Sequence, residues 1–436
     1  MPADPYEDSQ TELVEALEEY VQPFQSEAPA TSLETIDVIN EEVDVIGIGE
    51  RSHGIRECIQ TWRHLVKHFV EEYGIRTICC ELNMFVAVNL DDYIRNGDGS
   101  AENILSGNGL HPNWKSESAL EFVEWLRDFN RNRADDDKVR IYGLDYTSGR
   151  PIAQSLSEYL QQVDPEYFEK VSDELQYFTE KQVDMFGQTW HQEEVDPDAY
   201  AQRWEEIASS LKHHIENHTE EFIEKTSKEE YKRIKRGIKM FDFTVESVSK
   251  RWNRDLDEIE SSYEMRAEYL ADTCQWVYDN SNQSQMIILA HNSHIRQGNI
   301  PIDGEYIQNE IPSMMARFSE STNTNTVSIG LTVRGGEFRT VNVSGERRWE
   351  NIDIPEPEGG SFSHILSEVS DGTTVIDIST ATEDSELAGW FDHEPEIFIL
   401  GTMNEPYPVY RINSDLSVFD VAISVKNATP LTDLSE

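Results

Sequence analysis

Four short apolar runs in this chain each end on an ionisable side chain: "VDVIGIGE" at Glu50, "RTICCE" at Glu81, "KVRIYGLD" at Asp145 and "MIILAH" at His291. Short apolar runs bounded by turn residues read as buried strands. The segments between them carry helical spacing instead. "QTWRHLVKHFVEEYG" has the pattern of an amphipathic helix ended by Gly74, ahead of a strand over 76–80. "SESALEFVEWLRDFNR", from Ser116 to Arg131, repeats the helix before the strand that ends at Asp145. Repeated strand, helix, strand units close into a parallel sheet with helices on its faces. The sequence therefore predicts an α/β fold with a largely parallel central sheet flanked by helices, as a single domain over 1–436.

The other segments hang on this frame. Apolar positions at helical spacing (Leu13, Leu17, Tyr20, Val21) predict a helix over 10–24. Residues 154–280 are rich in charge and helical spacing, with Pro165 and Pro197 as breaks, and predict a helical insertion or subdomain. After it, "NTVSIGLTVRGGEFRTV", "TTVIDIST", "EIFILGTM" and "DVAISVKN" predict additional C-terminal strands, some antiparallel. "NIDIPEPEGGSFSH" reads as a loop.

Charge narrows the partners. The 84 acidic residues against 36 basic ones give a formal charge of −48, spread from Glu7 to Glu436 rather than gathered in a tail. Such a surface repels itself in dilute buffer, whereas at about 1 M salt the Debye length falls to roughly 3 Å and most of that repulsion is screened. We read it as adaptation to a salt-rich cytoplasm. No stretch supplies the basic patch that phosphate binding needs, which argues against nucleic acid and against a membrane surface as partners. The N-terminus has no basic segment followed by an apolar core, and no apolar run approaches membrane-spanning length, so a soluble, cytoplasmic protein is expected. Cys58, Cys79, Cys80 and Cys274 show no CxxC spacing and read as reduced core residues. Nothing in the sequence fixes the oligomeric state.

In an open parallel sheet the crevice beyond the carboxyl ends of the strands is where ligands bind. If the four runs are neighbours, Glu50, His53, Glu81, Asp145, His291 and His294 converge there. A polar residue after any one strand is more often a cap or turn residue, but four coincidences favour a site. Gly47, Gly49 and Gly54 suit sharp turns at the cleft. "GIGERSHG" is no dinucleotide fingerprint, because the third glycine of GxGxxG would fall at Ser52. No G-x-S-x-G elbow and no HExxH occur. His64 and His68, four apart, could ligate zinc, though a polar helix face explains them better. A neutral histidine beside a carboxylate is a general base with a fixed tautomer, and a second histidine with an arginine can polarise a carbonyl or hold an oxyanion. The set suits hydrolysis by activated water. Two alternatives stand beside it: a metal-dependent hydrolase or transferase with the ion on Glu50, His53, Glu81, Asp145 and His291, and a non-catalytic small-ligand-binding module. Trp190 and Trp204 in the insertion could line an entrance, but core packing is the better expectation.

These same stretches resemble the erythromycin esterase family. "GERSHG", a helix and "GIRTICCELN" are similar to its strand, G-E-x-x-H-G, helix and Glu-ended strand. "NWKSESALEFVEWLRDFNRN", "VRIYGLD", "MIILAHNSHI" and the closing "FDVAISVKNATPL" match its later motifs in order, over roughly residues 40–432. The resemblance implies an α/β core with a helical insertion and a deep cleft, in which histidine activates water against a small-molecule ester or lactone, such as a macrolide, with no cofactor and no required metal. It makes His53 the general base, Glu50 its acidic partner, Glu81 a cleft carboxylate and His291 a second catalytic or substrate-orienting histidine. Asp145 and His294 fall at motif positions and are taken as substrate-binding. The family's arginine in the helix after the histidine has two candidates here: Arg63 as a catalytic cation and Arg56 as a substrate-binding one, with Trp62 at the expected turn.

Overall fold

The computed structural model describes residues 7–434 apart from short stretches, of which 182–195 and 301–308 are the longest. Thirteen strands appear among the described residues: β1 (Val21–Pro23), β2 (Val45–Ile48), β3 (Thr77–Asn83), β4 (Arg140–Asp145), β5 (Met286–Leu289), β6 (Thr326–Val333), β7 (Glu337–Asn342), β8 (Arg348–Asp353), β9 (Thr374–Asp377), β10 (Glu396–Leu400), β11 (Met403–Asn404), β12 (Val409–Asn413) and β13 (Val421–Val425). Eight form one sheet in the order β1-β9-β13-β6-β2-β5-β3-β4. From β13 to β4 every pairing is parallel, and β9 and β1 continue one edge antiparallel. The expected α/β class with a largely parallel central sheet is the observed one. β7 pairs antiparallel with β8 and parallel with β11, and β10 pairs with β12 in a separate ribbon.

The central strands are apolar because both faces are covered. β2, β3 and β5 are buried at every position. On one face lies the helix Arg56–Glu72, whose buried residues Cys58, Ile59, Trp62, Leu65, Val66, Phe69 and Val70 recur at the spacing of a single stripe. It ends where Gly74 takes φ of 72°, a left-handed conformation that favours glycine. The helix Glu117–Asn130 starts on a Ser116 side-chain cap. Its last residue, the buried Asn130, donates to the carbonyls of Ile94 and Val139 and accepts from Val139 N–H, which fixes the entry into β4.

Between β4 and β5 the described chain is helical. Pro165 and Pro197 sit at helix starts, after Asp164 and Asp196 as side-chain caps, so both act as initiators rather than interruptions. These helices build their own core around Phe178, Tyr200, Trp204, Phe222 and Phe241. Trp204 belongs to that core, at 2 % exposure, while Trp190 lies outside the described residues. The last helix, Leu256–Asn280, returns to the sheet and packs Leu270, Cys274 and Val277 against Met286 and Ile288 of β5. All four cysteines are buried and free. Among the described residues no helix is long and apolar enough to cross a membrane.

Two local expectations are corrected. The helix predicted over 10–24 ends at Glu18, and Val21–Pro23 is a strand that borrows its ladder from β9. The segment "NIDIPEPEGGSFSH" is not all loop: Asn351 to Asp353 finish β8, held by the antiparallel register with β7, and Phe362 opens a helix capped by Ser361.

Candidate active site

The sheet order decides the site. β2, β5, β3 and β4 lie side by side and run parallel, so the residues after all four strands arrive at one edge. β2 passes through Gly49 into the loop carrying Glu50 and His53. A Cβ on Gly49 would overlap the Asn292 Oδ1 atom, and that close approach is what the glycine permits. Asn292, just past β5, accepts from Leu331 N–H at 3.2 Å and donates to the Leu331 carbonyl at 2.6 Å, while its own amide donates to the Glu50 carbonyl at 3.0 Å. The loops after β2 and β5 are thereby tied to β6. Gly54 is held as tightly: its carbonyl accepts from Arg339 and Leu431 amides, and a Cβ would overlap the Arg339 carbonyl. Gly54→Ala is expected to cost about 2 kcal/mol or more of stability, since the clash is with backbone that cannot rotate away. A denaturant midpoint equal to that of the wild type would contradict this close packing.

Glu50 is fully buried, and its Oε1 accepts from His53 Nδ1 and from Asn113 Nδ2 at 3.0 Å. With Nδ1–H given to the carboxylate, His53 keeps Nε2 as its lone-pair nitrogen. Burial alone would lower the His53 pKa, but the Glu50 charge and hydrogen bond outweigh it and hold it above the usual value of 6.5. The His291 ring lies 5.6 Å from that of His53. Its amide donates to Glu81 Oε2 at 2.8 Å, and its Nε2 meets the Arg51 carbonyl at 3.2 Å. A carbonyl only accepts, so Nε2 carries the hydrogen, and Nδ1 accepts from Ser293 Oγ at 2.9 Å. Burial, with the nearby His53 charge, lowers His291 to about 3 and keeps it neutral. Both its nitrogens are engaged, which suits a positioning role. Two histidines in one pocket are thus pushed in opposite directions, the pattern that separates acid and base assignments.

Behind them sits a buried ion cluster. Arg266, from the helix Leu256–Asn280, donates through Nη2 to Glu81 Oε1 at 2.6 Å and Asp145 Oδ2 at 2.7 Å. Its Nη1 is 3.1 Å from His294 Nε2, which is itself 3.3 Å from Glu81 Oε1. Burial would raise both carboxyls, yet His294 and Arg266 hold Glu81 well below the usual range and Arg266 does the same for Asp145. His111 completes the ring of groups, its imidazole tilted 37° to that of His53 at a centroid distance of 4.7 Å and its Nε2 at 3.7 Å from Asp145 Oδ2.

The structure therefore brings together Glu50, His53, Glu81, Asp145, His291 and His294, and it does not bring in Arg56 or Arg63. On the helix Arg56–Glu72 the inward stripe passes through Trp62, whose Nε1 donates to the Gly49 carbonyl at 2.6 Å. Arg63 lies beside that stripe, on the outer side, and pairs with Glu121. Arg56, with 43 % of its side chain exposed, pairs with Glu57 at 3.5 Å. The buried cation on the cleft carboxylates Glu81 and Asp145 is Arg266 instead. Its only sequence signal is an arginine inside the stripe Ser262, Arg266, Ala267, Tyr269, Leu270 of a helix that returns to the sheet. His111 in "LHPNW" carries no sequence signal, while Asn113 opens the stretch "NWKSESALEFVEWLRDFNRN" without being singled out there.

Among the described residues one group could hold a metal ion: His53, Glu81 and His111 each offer a ligand atom within 4.8 Å of the others. His64 and His68 do not join such a group; both are half-buried and lowered by burial.

Compared with known families, residues 70–426 match the erythromycin esterase model. The chain belongs to the erythromycin esterase family. The matched span includes Glu81, Asp145, Arg266, His291 and His294, and starts beyond the loop of Glu50 and His53. The chain is 23 % identical to erythromycin esterase type II of Escherichia coli over 337 residues, 74 % of this chain and 78 % of that one. It is 22 % identical to a putative hydrolase of Bacillus subtilis over 403 residues, 89 % and 86 % of the two chains. A solved erythromycin esterase variant in its open conformation superposes with a TM-score of 0.71 at 14 % identity, covering 94 % of this chain and 98 % of the other. Membership of the erythromycin esterase family and the names of these relatives point to a hydrolase with a small-molecule substrate.

Proposed function

We propose that this erythromycin esterase family member cleaves an ester or lactone with water activated by His53. The observation that carries the reading is the buried carboxylate of Glu50 on His53 Nδ1, with the neutral His291 ring 5.6 Å away. His53 Nε2 takes a proton from water, and the imidazolium so formed is stabilised by Glu50. The hydroxide adds to the acyl carbon, and the tetrahedral intermediate expels the alkoxide, which recovers the proton from His53. Glu81 fixes His291 through its amide, and Arg266 fixes Glu81, so positions in the pocket are set before substrate arrives.

The base works only when neutral. Because Glu50 holds the His53 pKa above 6.5, kcat/KM should fall as pH drops through an inflection above 6.5. Glu50→Gln removes the charge that raises it and should move the inflection down while lowering the rate. A panel of esters and lactones assayed across pH in molar salt, with and without chelator, tests this; absence of turnover on the whole panel, or an acid limb unmoved by Glu50→Gln, would count against it.

A second reading is favoured by one observation, the grouping of His53, Glu81 and His111 around a possible divalent ion. Glu81 Oε1, already committed to Arg266 and His294, weighs against it. Stoichiometric metal in protein purified without chelator, with turnover lost on chelation, would select this reading.

We further propose that the chain works in molar salt in a cytoplasm, since 84 acidic residues face only 36 basic ones. Unfolding spreads this charge apart, so dilute buffer favours the unfolded state. The melting temperature should climb steeply between about 0.1 M and about 2 M KCl, as the screening length shortens from about 10 Å at 0.1 M to about 3 Å at 1 M. A melting temperature flat across that range would refute the adaptation.

A further inference from the structure

Arg51 directly follows Glu50 and stands two residues before His53. It is 3 % exposed, and its carbonyl accepts the His291 Nε2 hydrogen at 3.2 Å. Its guanidinium has no hydrogen bond or ion pair among the described residues; its Nε is sealed from solvent, as are those of Arg236 and Arg334, but those two bond through their Nη atoms. Three other buried arginines show what a settled cation looks like. Arg266 holds two carboxylates, Arg236 holds Asp272 and Thr273, and Arg334 donates to the carbonyls of Leu366, Ser370 and Gly372. A buried guanidinium is costly unless paired, and this chain has 84 acidic residues from which to pair it.

We propose that Arg51 is a recognition residue for a carboxylate or phosphate group on the substrate, so that the esters taken by this site are anionic. The inference rests on the hydrolytic reading for its substrate, and on the buried guanidinium for its anion. A planar fork of donors fits the paired oxygens of either group. The Arg51 carbonyl is held by His291 Nε2 and the residue directly follows Glu50, so the side chain is anchored in the loop that carries the reacting groups. Burial draws its pKa down to about 9, which leaves it charged at neutral pH. Molar salt screens exposed cations strongly and buried ones much less, so a recessed arginine keeps its selectivity where a surface one would lose it.

The test compares para-nitrophenyl hemisuccinate with its methyl ester, a pair that differs in one negative charge. The wild type should prefer the acid. Arg51→Met should lower the acid-to-ester ratio of kcat/KM at least about tenfold, mainly through KM for the acid, and Arg51→Lys should restore part of it. A ratio unchanged in Arg51→Met would overturn the proposal. A second arm needs no turnover: inorganic phosphate, against KCl of equal ionic strength, should raise the melting temperature of the wild type and not of Arg51→Met. Equal stabilisation of both proteins would overturn the proposal. If neither ester is hydrolysed by the wild type, the hydrolytic reading fails while the phosphate arm still decides the role of Arg51. Without phosphate, Arg51→Met should melt about 2 °C or more above the wild type, because an unpaired buried charge is gone. A lower melting temperature would show Arg51 to be a structural residue and overturn the proposal.

Discussion

Arg266→Met is expected to destabilise the fold by about 3–5 kcal/mol at neutral pH, the cost typical of breaking a buried ion pair by removing one partner. Arg266 sits between Glu81 and Asp145, all three buried, and bonds both carboxylates. With it gone, two buried anions lie close together with no guanidinium between them. The pH dependence separates this from simple loss of packing. In the wild type both carboxyls are held below their unfolded values, so their contribution is present above about pH 4 and is lost only as pH falls through the depressed folded values. In the variant, burial raises the same carboxyls, so the penalty is largest at neutral pH and is relieved as pH falls and they protonate. The gap between the two proteins in urea unfolding should therefore narrow from about pH 7 to about pH 4. A deficit below about 1 kcal/mol, or one constant with pH, would show that Arg266 is not the keystone of the cluster.

How much of this site could be seen in the sequence follows from how far each residue's signal reaches. Glu50, Glu81, Asp145 and His291 were legible because each closes an apolar run, and apolar runs are the strand signal. Their convergence followed only once β2, β5, β3 and β4 proved to be parallel neighbours, a long-range fact that strand-ending residues suggest but do not contain. Glu81 shows the limit of boundaries: the apolar run predicts a strand ending at Cys80, but β3 continues to Asn83 through an irregular register with β4, which places Glu81 in the strand itself. The cation was misplaced for a similar reason. Arg56 and Arg63 are close to His53 in sequence, yet the helix stripe that faces the sheet runs through Trp62 and leaves Arg63 outside it. Arg266 comes from 185 residues beyond Glu81 and Asn113 from 63 residues beyond Glu50. Neither closes an apolar run. β9 is legible in "TTVIDIST", whereas the three residues of β1 give too little pattern, and that strand owes its form to the antiparallel edge it completes.

The second large effect concerns His53. Removing a positioned general base typically costs a factor of 10² to 10⁴, so His53→Ala should lose about a thousandfold or more of kcat on any ester the wild type turns over. Truncation also leaves the buried Glu50 with Asn113 as its remaining partner, so His53→Gln, which keeps a hydrogen-bonding group near the carboxylate, serves as the control for folding. The decisive measurement is the single-turnover rate of the wild type, His53→Ala and His53→Gln on one hydrolysable ester in molar KCl, with circular dichroism melts of all three. The hydrolytic account predicts cooperative melts throughout and turnover reduced to near the uncatalysed rate in both variants. A folded His53→Gln that hydrolyses the ester at the wild-type rate would contradict it.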